Sequence, residues 1–337
     1  MTTMSDGDLQ LKTGEGTLLP RGFLVGHAQD EAGGTGCTAV ICEAGAVAAV
    51  SVRGAAPATL ETDLLEPSNT VQQINAVLLS GGSAFGLEAA SGAMQWLAKR
   101  GAGFSVGDAV VPIVCGASIF DLGVGRGDVY PDKAMGFAAC EAAQTSVRVG
   151  NVGVGTGASV GKLLGGNLSM KSGFGAASLQ FGELIVTAVV GLNAVGNVFD
   201  RMSATTIAGV INPQDGSLLL DAYDAFMMMA ATSGNEPGFP ANTTIGCVLT
   251  NGTLTKAQAA HVADMAHDGY ARAIEPVHTG FDGDTVFVMS SGDFPGSPEV
   301  IGVLAARVME AAIHDAALSA SGAYGLLAAR GFSENLT

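Results

Sequence analysis

The sequence predicts an α/β protein in which helices cover sheets. Short apolar runs rich in β-branched residues alternate with Ala-rich stretches along the whole chain, the pattern of layered helices and strands. Gly is abundant, 49 residues, but follows no Gly-X-Y period, so a collagen-like chain is excluded. Aromatic residues make up only 6%, with Trp96 the single tryptophan. The core must therefore be built from Ala, Val, Leu and Ile, with backbones in close approach.

Taken in order, residues 38–43 and 46–53 read as paired strands joined at Ala44-Gly45. Residues 75–80 form a strand with an apolar centre. Gly81-Gly82-Ser83 follows, then a helix to about Arg100 with Ser83 as its N-cap. Residues 168–180 and 183–192 make a hairpin closed near Gly182. Residues 218–231 are helical, with Met227, Met228 and Met229 filling the core or lining a pocket. The Gly/Pro-containing stretch 232–241 is the one good linker. Thr255-Lys256-Ala257-Gln258 is a capping box that opens a helix to about Ile274. Residues 284–290 form a strand. A long helix then starts with Pro298 in its first turn and Val300, Leu304 and Val308 on one face. No internal repeat interrupts this order.

At 337 residues the chain is long enough for one large domain or two ordinary ones. Charged residues reach only 14%, against about 25% in a typical soluble protein. So little charge covers a surface poorly, which predicts an oligomer. The formal charge of −16 argues against nucleic-acid binding, which needs Lys/Arg-rich surfaces. An acidic field suits a substrate with a positive amino terminus, and serves solubility as well. The N-terminal residues show neither the basic nor the apolar region of a signal peptide. No uncharged apolar run reaches the ~18 residues of a membrane span. Five cysteines (Cys37, Cys42, Cys115, Cys140, Cys247), an odd number without CxxC spacing, fit a reduced cytoplasmic protein with buried thiols.

The chemistry concentrates at Asn242-Thr243-Thr244, which runs into the apolar stretch Ile245-Gly246-Cys247-Val248-Leu249-Thr250. Cutting the 242–243 bond would leave Thr243 with a free α-amine beside its own hydroxyl. Nucleophile and general base then share one residue. The amine suits the role because its reference pKa, about 7.7–8.0, leaves much of it neutral near pH 7. A Thr-rich strand entry is the structural alternative.

Other motifs compete. In Gly153-Val154-Gly155-Thr156-Gly157-Ala158-Ser159-Val160-Gly161-Lys162 a Walker A loop fails at Thr156 and Leu163. A dinucleotide fingerprint survives only as Gly153, Gly155 and Ala158. Gly157-x-Ser159-x-Gly161 fits a nucleophile elbow with Ser159 as nucleophile, but Gly165-Gly166 end any following helix within a turn. The loop could instead hold Lys162 in a glycine-lined pocket, where an ammonium would depress the pKa of a nearby amine and stabilise an oxyanion. A snorkelling surface lysine is the alternative. Asn193, at the end of an apolar strand, is a potential oxyanion donor or an ordinary turn asparagine. Asp282-Gly283-Asp284 could bind a hard cation, hold an α-ammonium and a catalytic lysine, or form a solvated turn. His27, His261, His267 and His314 share no zinc spacing.

Together with Val25-Gly26-His27, Thr35-Gly36-Cys37-Thr38, Val52-Arg53-Gly54, Glu61-Thr62-Asp63-Leu64, Gly81-Gly82-Ser83-Ala84-Phe85-Gly86-Leu87 and Tyr130-Pro131-Asp132, these pieces make a specific set. The chain resembles the L-aminopeptidase/D-esterase family from about residue 22 to 319. That self-processing group also includes β-aminopeptidases and 6-aminohexanoate-oligomer (nylon) hydrolases. The resemblance implies a four-layer αββα sandwich of the N-terminal-nucleophile type. It implies autocleavage into residues 1–242 and 243–337, which together form one globular domain, and a tetramer. It also implies Thr243 as nucleophile, Lys162 as pocket cation, Asn193 as oxyanion donor, and Asp282 and Asp284 positioning the amine and the lysine. Gly82, Ser83 and Phe120 would contact substrate, a peptide or oligoamide, with no metal or organic cofactor. Thr243-Thr244 with the Asp-Gly-Asp pair looks more like the nylon-oligomer branch, while Phe120 stands where some relatives place a Tyr. Acyl transfer as in ornithine acetyltransferases, and a non-enzymatic oligomeric binding protein, are the alternatives.

Overall fold

The computed structural model describes residues 9–216, 219–232 and 242–334. Ten strands hydrogen-bond continuously. Their order is Leu9–Thr13, Phe174–Phe181, Leu184–Gly191, Ile245–Gly252, Thr285–Phe294, Thr35–Val52, Gln73–Ser80, Val114–Ser118 and Thr59–Leu60. The tenth, Phe23–Asp30, also pairs with Thr35–Val52.

The sheet doubles over on itself because Thr35–Val52 serves two layers. Residues 35–42 pair with Phe23–Asp30, and residues 47–52 pair with Thr285–Phe294. The register against Gln73–Ser80 shifts between Ile41 and Ala46, where Gly45 has a φ of +89°. The expected hairpin at Ala44-Gly45 is thus one long strand with an irregularity. Its two halves bury against different partners, so the glycine bends the strand instead of reversing it.

Side-chain alternation then sorts the apolar residues into three interiors. Ile245, Cys247, Leu249, Phe287 and Met289 meet Phe23, Val25, Val40 and Val77 between the two sheet layers. Their neighbours Val248, Val286 and Val288 face the opposite way, into a core shared with helices Lys256–Ala273 and Pro298–Leu318. On the far side Ala39, Ile41, Ala76 and Leu78 pack with helices Ala89–Lys99 and Lys133–Glu141. Three interiors between four layers make an αββα sandwich. Strands buried on both faces explain both the apolar composition and the low charge.

The two outer helices on that far side touch backbone to backbone. A Cβ on Gly136 would stand 1.9 Å from the Ala89 carbonyl oxygen, and one on Gly92 would stand 2.0 Å from that of Lys133. Small residues here replace the aromatic filling that the chain lacks.

Local expectations meet mixed outcomes. The capping box at Thr255 forms as expected and opens Lys256–Ala273. The hairpin is Phe174–Phe181 with Leu184–Gly191, turning at Gly182. Ser83 is not a cap: Gly82, at φ +78°, holds that position before a single turn, Ser83–Gly86, and the longer helix starts at Ala89. The buried stripe of Pro298–Leu318 is Ile301, Leu304, Val308 and Ala312, whereas Val300 is exposed. A position one residue later completes the i, i+3, i+7 row, which rotates Val300 outward. The helix expected over 218–231 is Ala222–Thr232, and linker residues 233–241 lie outside the described residues. Among the described residues no helix is long and apolar enough to cross a membrane.

Candidate active site

Sheet register builds the site. The strand Ile245–Gly252 lies antiparallel to Leu184–Gly191 and parallel to Thr285–Phe294, with Ile245 opposite both Gly191 and Thr285. The residues just before Ile245, just before Thr285 and just after Gly191 therefore converge at one edge. Asn242 pairs with Asp282 in an isolated parallel bridge. Asn242-Thr243-Thr244 and Asp282-Gly283-Asp284 consequently run side by side, although forty positions separate them.

Thr243 is 4% exposed. Its backbone N–H donates to the Asn193 carbonyl oxygen at 2.9 Å. Its hydroxyl donates to the Asn242 carbonyl oxygen, and the Gly283 N–H donates to that same oxygen at 3.1 Å. Position 283 admits only glycine without rearrangement. An added Cβ would stand 2.7 Å from Thr243 Oγ1 and 2.6 Å from the Ala56 carbonyl oxygen.

Asn193 is fully buried, not a surface turn residue. Its Oδ1 accepts from Lys162 Nζ at 2.6 Å and from the Ser159 N–H at 3.1 Å, and its Nδ2 donates to the Phe120 carbonyl oxygen at 3.0 Å. Burial pulls the Lys162 ammonium down to about 7, against the opposing charges of Asp282 and Asp121. Lys162 thus lines the cavity with its Nζ held by Asn193, and is not a snorkelling surface lysine.

The two carboxylates are buried as well, which disposes of a solvated turn. Asp282 Oδ2 accepts from the Thr279 hydroxyl at 2.6 Å, and its Oδ1 accepts from the Val195 N–H at 3.3 Å. Burial, and then the charge of Asp284, hold the Asp282 carboxyl above the usual carboxylate range. Asp284 Oδ1 accepts from the Thr244 N–H at 2.9 Å, and its Oδ2 from His278 Nδ1 at 2.8 Å. Among the described residues no group of three or more His, Cys, Asp or Glu side chains could hold a metal ion.

Beside this constellation opens a cavity of about 610 Å³, with Lys162, Ser159 and Asn242 in its wall. Phe120 lines it, together with Leu163, Phe281 and Leu326. Gly82 and Ser83 do not. The Gly82 N–H donates to Asp121 Oδ1 at 2.6 Å and the Ser83 N–H to the Ile119 carbonyl oxygen at 2.9 Å. Met229 lines the cavity while Met227 is exposed, so the methionine run divides. Tyr324 adds a phenol ring that the sequence reading did not single out.

Two charged residues of the site's foundation escaped sequence reasoning. Lys171 is fully buried, and its Nζ donates to the carbonyl oxygens of Gly155 at 2.8 Å, Ala158 at 3.0 Å and Ser172. Burial lowers it to about 7. Asp121 accepts from the Thr35 hydroxyl at 2.7 Å as well as from Gly82, and burial raises it to about 6. The glycine-rich loop around Ser159 is thus tied down by Lys171. Ser159–Val160 pairs with Met170–Lys171 and no α-helix follows, so the loop is neither a nucleophile elbow nor a phosphate loop.

The αββα sandwich shares its fold with solved aminopeptidases. It overlays the β-aminopeptidase of Burkholderia sp. with a TM-score of 0.68 at 17% identity, covering 97% of this chain and 94% of that one. The L-aminopeptidase D-Ala-esterase/amidase of Ochrobactrum anthropi, described as a variant of the Ntn hydrolase fold, gives 0.68 at 16% identity over 96% and 93%. Residues 21–327 match peptidase family S58, and the chain belongs to that family. It is accordingly a hydrolase acting on amide or peptide bonds. An uncharacterized aminopeptidase of Mycobacterium tuberculosis is 42% identical over 292 residues, 82% of each chain. A 6-aminohexanoate-oligomer endohydrolase of Paenarthrobacter ureafaciens is 32% identical over 312 residues, 88% of this chain and 84% of its own.

Proposed function

We propose that the chain cleaves its own Asn242–Thr243 bond and then hydrolyses linear amides with Thr243 as an N-terminal nucleophile. The observation that carries this reading is the convergence of the Thr243 hydroxyl and the Gly283 N–H on the Asn242 carbonyl oxygen. Thr243 Oγ1 attacks the Asn242 carbonyl carbon, and the Gly283 N–H holds the oxyanion that develops. Collapse expels the Thr243 nitrogen, which takes up the hydroxyl proton and leaves an ester. Water then releases the Asn242 carboxylate and frees both the amine and the hydroxyl of Thr243.

In turnover the new amine accepts the hydroxyl proton as Thr243 attacks the substrate carbonyl, and passes it to the departing amine. Water hydrolyses the acyl-enzyme. The Asn193 carbonyl, already 2.9 Å from the Thr243 nitrogen, orients that amine. Lys162 and the Asn193 carboxamide supply positive potential beside the carbonyl. Asp282 holds the charge on Lys162, and Asp284 fixes Thr244.

The substrate is a linear peptide-like amide, with 6-aminohexanoate oligomers one class named among the relatives. Support comes from the cavity, where Phe120, Leu163, Val195, Phe281 and Leu326 suit an aliphatic acyl chain and, among the described residues, Lys162 is the one charged side chain in the wall. The assembly is a homo-oligomer, a tetramer by family resemblance. The exposed apolar side chains of Phe104, Val106 and Val111 on one hairpin support that reading. Five free buried cysteines fit a reducing cytoplasm.

Intact mass and N-terminal sequencing under denaturing conditions test the proposal. Two chains, one beginning Thr243-Thr244-Ile245, are the expected result. A folded chain that stays whole through long incubation overturns it.

A further inference from the structure

The residue after the nucleophile is gripped at both of its backbone groups. Asp284 Oδ1 takes the Thr244 N–H at 2.9 Å, and the Tyr270 hydroxyl donates to the Thr244 carbonyl oxygen at 3.3 Å. One more residue completes this grip. His278 donates to Asp284 Oδ2 twice, from its backbone N–H at 3.2 Å and through Nδ1 at 2.8 Å. The carboxylate cannot swing away from Thr244 while both oxygens are engaged.

His278 is built for that contact at some local cost. Its φ is +55°, the left-handed region that a histidine seldom enters. Its ring is clamped by His267, edge-on at 4.7 Å between centroids, and by Tyr270, stacked at 5.8 Å. Thr244 Oγ1, His267 Nδ1 and His278 Nε2, all in this cluster, are buried polar atoms that find no hydrogen-bond partner among the described residues. Strained backbone and spare polar capacity together mark a place shaped for more than packing.

We propose that His278 is a positioning residue for Thr243: through Asp284 it fixes the Thr244 N–H, and with it the line on which the Thr243 hydroxyl meets a carbonyl. The inference rests on the reading of Thr243 as nucleophile. His278 touches neither the 242–243 bond nor the cavity wall, so its effect is on alignment and not on substrate affinity.

Two variants separate the ring from the backbone it sits on. His278→Gly adopts the same φ freely but loses the ring donor. His278→Asn tolerates the left-handed conformation and keeps a side-chain N–H donor toward Asp284. Self-cleavage rate, kcat and KM on a chromogenic small-acyl amide, and thermal midpoint are measured for both and for the wild type. In His278→Gly both rates fall by about 10- to 100-fold with KM unchanged, as a small misalignment of reacting groups causes. In His278→Asn most of the rate returns. A His278→Gly protein that cuts itself and turns over like the wild type overturns the inference alone. So do equal losses in both variants with matching falls in thermal midpoint, since those describe a folding role. A wild-type chain that stays uncut overturns the reading of Thr243, and this inference with it.

Discussion

Gly283 donates its backbone N–H to the carbonyl oxygen of Asn242 across 3.1 Å. The contact follows from the parallel pairing that seats Ile245 opposite Thr285 and carries Asn242 alongside Asp282. A main-chain donor set this way costs no reorganisation when charge gathers on the oxygen, and one such donor is worth about 10²–10³ in rate.

Gly283→Ala is expected to halt or slow self-cleavage by at least about 100-fold, because the new Cβ displaces either the Thr243 hydroxyl or the donating N–H. Gel analysis of freshly made and aged protein reads the effect, with circular dichroism confirming the fold. Normal cutting in this variant would remove Gly283 from the mechanism.

Thr243→Ala should give a single uncut chain without amidase activity, whereas Thr243→Ser keeps a hydroxyl and should still cut. Mass spectrometry distinguishes them. A split Thr243→Ala chain would place the nucleophile elsewhere.

Lys162→Met should cost activity yet stabilise the fold. The ammonium has a pKa of about 7 in the folded chain against 10.5 for a free lysine. Between those values the unfolded state binds the extra proton, so wild-type stability rises with pH across that window. The burial penalty is complete below about pH 7 and gone above 10.5. The variant should therefore exceed wild type in urea midpoint at pH 6 and lose that margin by pH 10. A variant less stable than wild type at pH 6 would contradict the assignment.

Lys171→Met relieves the same kind of burial penalty, since burial lowers Lys171 to about 7 as well, but it also takes the ammonium from three carbonyl oxygens. The Gly155 and Ala158 carbonyl oxygens keep the backbone N–H of Ala158 at 3.4 Å and of Ser172 at 3.1 Å, so the Ser172 carbonyl bears most of the loss, and an unsatisfied buried acceptor costs about 1–3 kcal/mol. At pH 10, where the burial penalty is small, a loss of about 1–3 kcal/mol in urea denaturation is expected, with activity falling as the loop around Ser159 loosens. Unchanged stability would show that water replaces the ammonium.

Much of the site could be read from local order. Asn242-Thr243-Thr244 stands at a strand entry and Asp282-Gly283-Asp284 at another, and short apolar runs flagged both strands. What the chain order hides is pairing across distance. Lys171 sits in Met170-Lys171-Ser172, and nothing local says that carbonyls from residues 155 and 158 will enclose it. Asp121 likewise gains meaning only when Thr35 and Gly82 reach it. The bend at Gly45 looked like a reversal because a glycine after alanine suits both. Only the separate partners of the two strand halves decide the matter. Gly82 and Ser83 entered through the family resemblance, and only the fold shows their backbone N–H groups engaged by Asp121 and Ile119.

The central place of Ile245–Gly252, flanked by a strand from before the Asn242–Thr243 bond and one from after it, would tie the proposed self-cleavage to successful assembly. Only a chain that has already knitted Leu184–Gly191 and Thr285–Phe294 around that strand presents the bond to its donor. Under the proposed self-cleavage, misfolded or half-made copies would stay chemically inert, and the two pieces would remain laced together through the pairings of that strand.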